Sequence, residues 1–249
     1  MTDRPTLSGT SAPETMVPTP ELVMFDLDYT LLRPGDEFEA PGYQRNGARY
    51  GLRLEPARWR EAQKAAYAAV EARRRESGVA HDDGLLEVIA RAVIHGLGGD
   101  DESAVAATAA AVIAAWSRAE NFSLYDDVLP CLRTLRSAGV RMALVSNALG
   151  HSLEEIVAHF ALDEFIEATV SSADLWIVKP APGLFQAALA RVGVEPEMAV
   201  MVGDSVEDDV DGALACGCRA ILLDREGRYA GVALPRIGSL ADLPAALGI

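Results

Sequence analysis

The sequence predicts an α/β fold, a doubly wound parallel sheet carrying an inserted all-helical cap. Three observations lead there. Residues 21–28 form a continuous apolar run that ends in carboxylates, as suits a central parallel strand buried on both faces. From residue 128 onward strand and helix patterns alternate, which implies right-handed crossovers between parallel strands. The residues between these regions, 36–124, have a different character and read as helices.

Taken in order, residues 1–20 are rich in Thr, Ser and Pro and poor in apolar side chains, the composition of a disordered tail. The Rossmann-like core is expected over 21–35 and 125–249, and the helical cap over 36–124. Within the cap, residues 57–76, 84–96 and 101–120 read as helices, the last two rich in Ala and Val. An insertion directly after the first strand sits over that strand's carboxyl end, where it would serve as a lid. Beyond it, a helix over 128–138 stops at Gly139 and a strand follows over 140–146. A helix over 152–160 and a short strand over 168–171 come next. Pro182 opens a helix that Gly193 stops. A strand over 198–203, a helix over 207–215, a strand over 219–223 and a closing helix over 240–247 complete the pattern. Ligands of such sheets bind beyond the carboxyl ends of the strands.

Composition narrows the function classes. The 249 residues carry 22 Lys plus Arg against 37 Asp plus Glu, a formal charge of −15. That acidity argues against nucleic acid as a partner, because phosphates would be repelled across most of the surface. Small anionic substrates stay open, since one cation or metal reverses a local field. The longest apolar stretch, 104–116, falls short of the roughly 20 residues that span a bilayer. No basic start followed by an apolar run marks a secretory signal. The three cysteines, Cys131, Cys216 and Cys218, read as reduced thiols of a cytoplasmic protein. Nothing in the sequence specifies an oligomeric state. Only Lys64 and Lys179 are lysines among the basic residues, so lysine chemistry is a candidate where one appears.

Four segments carry candidate chemistry, each at a predicted strand end or in the loop after it. Asp26-Leu27-Asp28-Tyr29-Thr30 places two carboxylates at i and i+2, suited to a nucleophile and a general acid or base. Ser146-Asn147 offers a hydroxyl and backbone N–H groups to an oxyanion. Lys179-Pro180 puts a cation just before a helix. Gly203-Asp204-Ser205, followed by Glu207-Asp208-Asp209, supplies acids suited to a hard divalent cation. Singly, each also suits an ordinary solvated turn, or acids opposing a helix dipole. Their order, and their place on one edge of one sheet, make chance a poor account.

In these four segments the chain resembles the haloacid dehalogenase-like hydrolase superfamily, over about residues 21–225. Asp26-Leu27-Asp28-Tyr29-Thr30 is similar to its DxDxT motif. Ser146-Asn147, Lys179, and Gly203-Asp204 with Asp208 or Asp209 are similar to the other three. The resemblance implies a phosphatase working through an aspartyl-phosphate. Asp26 would be the nucleophile and Asp28 the acid, then base. Ser146, the Asn147 backbone, Lys179 and Thr30 would hold the phosphoryl group. Mg²⁺ would be held by Asp26, Asp28 (through its main-chain carbonyl), Asp204 and a second acid, with Asp209 fitting the motif spacing better than Asp208. A lid closing over the site favours a small phosphorylated metabolite: a sugar phosphate, a phosphoglycolate-like acid or a nucleotide monophosphate.

Other readings use the same residues. A 2-haloacid dehalogenase would need no second acid, a phosphomutase would need a lid that excludes water, and a non-catalytic phospho-accepting module would need no lid. Tyr29 and Trp176 depart from the family pattern. Tyr29 would narrow the cavity or pack against the lid, and Trp176 would line the pocket, pack in the core or anchor a loop. Arg45, Arg49 and Arg53 offer a second anion site or are solvated. Arg73-Arg74-Arg75 reads as a solvated helix terminus. His81, His95, His151 and His159 have no ligand spacing, and the implied mechanism needs no histidine.

Overall fold

The computed structural model describes residues 19–77, 81–82, 84–147 and 149–249; the expected tail over 1–20 lies almost wholly outside them. The core is a parallel sheet of six strands: β1 (Leu22–Phe25), β4 (Arg141–Ser146), β5 (Ala168–Ser171), β6 (Ala199–Gly203), β7 (Arg219–Leu223) and β8 (Arg236–Ile237). Their order is β5-β4-β1-β6-β7-β8. Two further strands, β2 (Leu32–Pro34) and β3 (Phe122–Leu124), pair antiparallel where the chain enters and leaves the insertion.

Period-two alternation explains why β1 is central. Val23 and Phe25 point into one apolar cluster, Leu22 and Met24 into the other, and all four are fully buried. Each such side chain contributes about 1.5–3 kcal/mol through burial. β4 and β6 divide the same way, Leu144 and Val202 to one face, Val145 and Met201 to the other.

Among the described residues the insertion holds the α-helices α1 (Ala40–Arg49), α2 (Trp59–Ser77), α3 (Leu85–Gly96) and α4 (Glu102–Trp116). α2 and α3 approach closely at Gly96, where a Cβ would lie 2.5 Å from Ala62 Cα. The first helix, α1, has no counterpart in the sequence pattern, because Gly42, Asn46 and Gly47 lower its helix propensity. Burial of Tyr43 holds it in place instead.

Core helices follow as α5 (Val128–Ser137), α6 (Leu153–His159), α7 (Ser172–Leu175), α8 (Pro182–Val192), α9 (Gly212–Ala215) and α10 (Leu243–Ala246). The helix expected over 207–215 begins as a single π-helical turn, Val206–Asp211, a local distortion frequent at functional sites. No helix among the described residues is long and apolar enough to cross a membrane.

Candidate active site

Strand order dictates where the site lies. β1 leads toward β4 on one side and β6 leads toward β7 on the other, so the crevice opens between the carboxyl ends of β1 and β6. Asp26 leaves β1 and Asp204 leaves β6 on either side of it. Ser146 ends the neighbouring β4 and is buried at the cavity wall.

Lys179 ties the carboxylates together. Its Nζ donates to Asp26 Oδ1 at 2.7 Å and to Asp209 Oδ1 at 2.6 Å, with the side chain almost wholly buried. Burial alone would depress the lysine pKa, but the Asp209 and Asp26 charges outweigh it and hold the amine above its ordinary range. Asn147 sets this loop. Its Oδ1 accepts from the Lys179 backbone N–H at 2.7 Å, and its Nδ2 donates to the Lys179 carbonyl at 3.3 Å. The peptide between Lys179 and Pro180 is cis.

The two adjacent acids take different partners. Asp209 turns inward to Lys179, and its Oδ2 accepts from the Ser205 N–H at 3.0 Å. Asp208 turns outward to the insertion, where Arg74 of α2 donates to both its oxygens. Gly203 makes room for the inward acid: a Cβ there would lie 2.1 Å from Asp209 Oδ2.

Asp26, Asp204 and Asp209 each present an oxygen within 4.8 Å of the others. This donor set fits a hard divalent cation. Burial, then the charge of Asp26, raises the Asp204 pKa; burial also raises Asp209, against the pull of Lys179. Three carboxylates held against one ammonium carry excess negative charge, which a divalent ion would relieve.

Asp28 stands apart from that trio. Its Oδ1 is buried without a hydrogen-bond partner among the described residues, and burial, then Asp26, raises its pKa well above the carboxylate range. His151 Nε2 lies 3.5 Å from its Oδ2. Burial lowers the His151 pKa to about 4, and its ring lies against Trp116 and Phe122. The implied mechanism calls for no histidine, yet the structure places His151 beside Asp28.

Other expectations change as well. Arg73 and Arg74 are not a solvated terminus. Both line the catalytic cavity, of about 190 Å³, and pair with Asp82 and Asp208. Arg45 pairs with Glu37 and Arg49 donates to Asn46, and neither they nor Arg53 line that cavity. Thr30 is fully buried outside the cavity lining, its hydroxyl without a hydrogen-bond partner among the described residues, so the structure does not bring it to the cavity. Trp176 is 63% exposed and meets the edge of His81, outside the cavity lining. Tyr29, at φ 63°, lines it beside Asp28. Adjacent arginines on one helix point in different directions, so a run of three closing a cap helix is the one sequence signal for Arg74. His151 has none.

The model of the haloacid dehalogenase-like hydrolases matches residues 20–217. The chain belongs to this family. Haloacid dehalogenase-like hydrolase domain-containing protein 3 of Homo sapiens is 29% identical over 208 residues, 81% of each chain. Glyceraldehyde 3-phosphate phosphatase of Methanopyrus kandleri is 34% identical over 105 residues, 42% of this chain and 45% of the relative. The chain spans about half the length of the first curated relatives it matches. Among solved structures, the hydrolase YfnB of Bacillus subtilis, bound to magnesium, superposes with a TM-score of 0.68 at 18% identity. It covers 92% of this chain and 99% of its own, and the likeness is one of fold. This haloacid dehalogenase-like hydrolase thus has a Rossmann-like core, an inserted helical cap and an aspartate-based site.

Proposed function

We propose that this hydrolase is a Mg²⁺-dependent phosphatase that removes phosphate from a small phosphorylated metabolite through an aspartyl-phosphate on Asp26. One observation carries the reading: the Asp28 carboxyl stands where the catalytic cavity meets a second cavity under the cap. A proton donor at that junction reaches the bridging oxygen between phosphoryl group and leaving group. A 2-haloacid dehalogenase would leave it idle, because a departing halide needs no proton. The phosphatases among the relatives support the same choice.

In the first step an Asp26 oxygen bonds to phosphorus while the bond to the leaving oxygen breaks, and Asp28 gives that oxygen its proton. The alcohol departs. In the second step Asp28, now a carboxylate, takes a proton from water as the water oxygen bonds to phosphorus. The bond to Asp26 breaks and phosphate leaves. Lys179 orients Asp26 and, with the Ser146 hydroxyl and the Asn147 backbone N–H, would hold the phosphoryl oxygens. Asp26, Asp204 and Asp209, with the Asp28 main-chain carbonyl, would hold Mg²⁺, which when bound offsets repulsion between the carboxylate nucleophile and the phosphate dianion. We assign residues 36–124 the role of a lid that keeps bulk water from the acyl phosphate. The free thiols Cys131, Cys216 and Cys218 suit a reducing, cytoplasmic setting.

The test is phosphate release from acetyl phosphate and a panel of phosphomonoesters with Mg²⁺, beside Asp26→Asn and a chelator-treated sample. Release by the wild type alone, lost with chelator and restored by Mg²⁺, is expected. Release by Asp26→Asn removes the nucleophile, and halide release from a haloacid without phosphate release replaces the reading.

A further inference from the structure

The second cavity, of about 300 Å³, lies under the cap and meets the catalytic cavity at Asp28, Tyr29 and Leu149. One face of each of three helices builds its wall: Trp59, Ala66 and Val70 from α2, Leu86 and Val93 from α3, and Trp116 from α4. Spacings of three, four and seven residues place these side chains on common helix faces. In a chain with so much charge, the wall carries no charged side chain other than Asp28 at the junction, among the described residues. The nearby arginines, Arg73 and Arg74, belong to the catalytic cavity and are engaged by Asp82 and Asp208. Gln63 and Tyr67 are exposed at the rim and the phenols Tyr29 and Tyr43 are the other polar side chains besides Asp28, while Ala90, Val93 and Val112 are buried inside.

Resting on the phosphatase reading, we propose that the substrate is the monophosphate of an uncharged, apolar alcohol whose hydrocarbon body fills this cavity. Size follows from volume. An apolar cavity of about 150 Å³ holds benzene, so this one takes a fused two-ring aromatic or a branched chain of about ten carbons. A sugar would surrender most of its hydrogen bonds to water against a wall whose polar side chains, two at the rim and two phenols, are too few to replace them. A phosphoglycolate-like acid would further need a cation there for its second charge, and a nucleotide's ribose and base would surrender hydrogen bonds as a sugar does. The cavity therefore ranks against the metabolite classes that the lid alone suggests. The phosphoryl group sits among Asp26, Ser146 and Lys179, and the bridging oxygen falls beside Asp28, which the substrate's two halves share.

Two measurements test this. The first compares kcat/KM for 1-naphthyl phosphate and geranyl phosphate with that for glycerol 3-phosphate and glucose 6-phosphate, using acetyl phosphate as the small reference. At least a ten-fold preference for the apolar esters is expected, since each methylene bound in an apolar pocket is worth about 10- to 200-fold. Ala66→Phe, which fills the cavity from a half-buried position, should cut the naphthyl-to-acetyl ratio about ten-fold. Ala65→Phe, exposed and off the wall, should leave the ratio unchanged. The second measurement needs no turnover or variant: geraniol titrated against the fluorescence of Trp59 and Trp116 should saturate. Acetyl phosphate turnover with equal or faster hydrolysis of the polar esters, or without geraniol binding, overturns the inference and leaves the phosphatase reading standing. Saturable geraniol binding with no phosphate release from any ester overturns the phosphatase reading instead.

Discussion

Arg74 of the cap grips Asp208 of the core with two hydrogen bonds, at 3.1 and 2.6 Å, across 134 residues of sequence. The pair separates the roles of two neighbouring acids, since Asp209 faces Lys179 and Asp208 faces the cap. It also pins the last turns of α2 beside the catalytic cavity.

Removing this contact should loosen the cap over the site. Arg74 is 35% exposed, so the pair is worth about 1 kcal/mol or less. Arg74→Ala should therefore raise KM by up to about five-fold, with faster amide exchange over residues 59–77. Steady-state kinetics and hydrogen exchange check it, and no change in either would make the pair incidental.

Lys179 has a larger effect because it is buried with its partners. Lys179→Ala leaves Asp26 and Asp209 facing Asp204 with no cation among the described side chains that bonds them. We expect kcat to fall at least about 100-fold, the scale of losing one oriented donor. Stability should fall by about 3–5 kcal/mol. Burial raises Asp204 and Asp209 above their unfolded values and the variant removes the Lys179 pull that opposes this, so the stability deficit grows as pH rises through that range and shrinks in acid. Urea titrations at several pH values read this, and a pH-independent deficit would contradict it.

Gly203→Ala tests the fit of the inward acid. The added Cβ would lie 2.1 Å from Asp209 Oδ2 and 2.3 Å from its Cγ, so Asp209 must move. A displacement near 1 Å costs about 100-fold in rate, whereas overpacking costs about 1–3 kcal/mol of stability. Circular dichroism should show a folded protein whose kcat has collapsed; full activity would mean that Asp209 is not needed in its present place.

Asp127 gives the clearest pH prediction outside the site. Burial alone would raise its pKa, yet hydrogen bonds from Arg225, Ser239 and the Leu240 N–H hold the carboxyl below its usual range. A depressed folded pKa adds stability above the unfolded pKa, and that stability is lost as pH falls through the folded value. Wild type should exceed Asp127→Asn by about 1.5–3 kcal/mol at neutral pH, the gap closing in acid. Arg225 also donates to the Thr30 carbonyl at 2.9 Å, so the loop after β1 should loosen with it. Thermal melts across pH decide the point.

The core was readable from the chain because its signals are local. The apolar run before Asp26, the glycines that stop two core helices (Gly139 and Gly193) and the acids after β6 act within a few residues, through periodicity and turn chemistry. The same locality marked Asp26, Asp28, Ser146, Lys179 and Asp204, each held at a strand end or loop. It failed at α1, where burial of Tyr43 overrides poor helix propensity, and at Thr30, whose motif position says nothing of which way the side chain turns.

Side-chain partners depend on chain segments far apart in sequence, and only the folded molecule brings those together. Arg74 meets Asp208, His151 meets Asp28, and Lys179 bridges Asp26 to Asp209 because the sheet and the cap converge there. The apolar chamber under the cap is of this kind: each helix contributes one stripe that reads as ordinary core packing. Linear order identified the chemistry at the strand ends. Packing three helices over that edge decided which acid faces inward and which cavity opens beside Asp28, because a cavity belongs to no single segment.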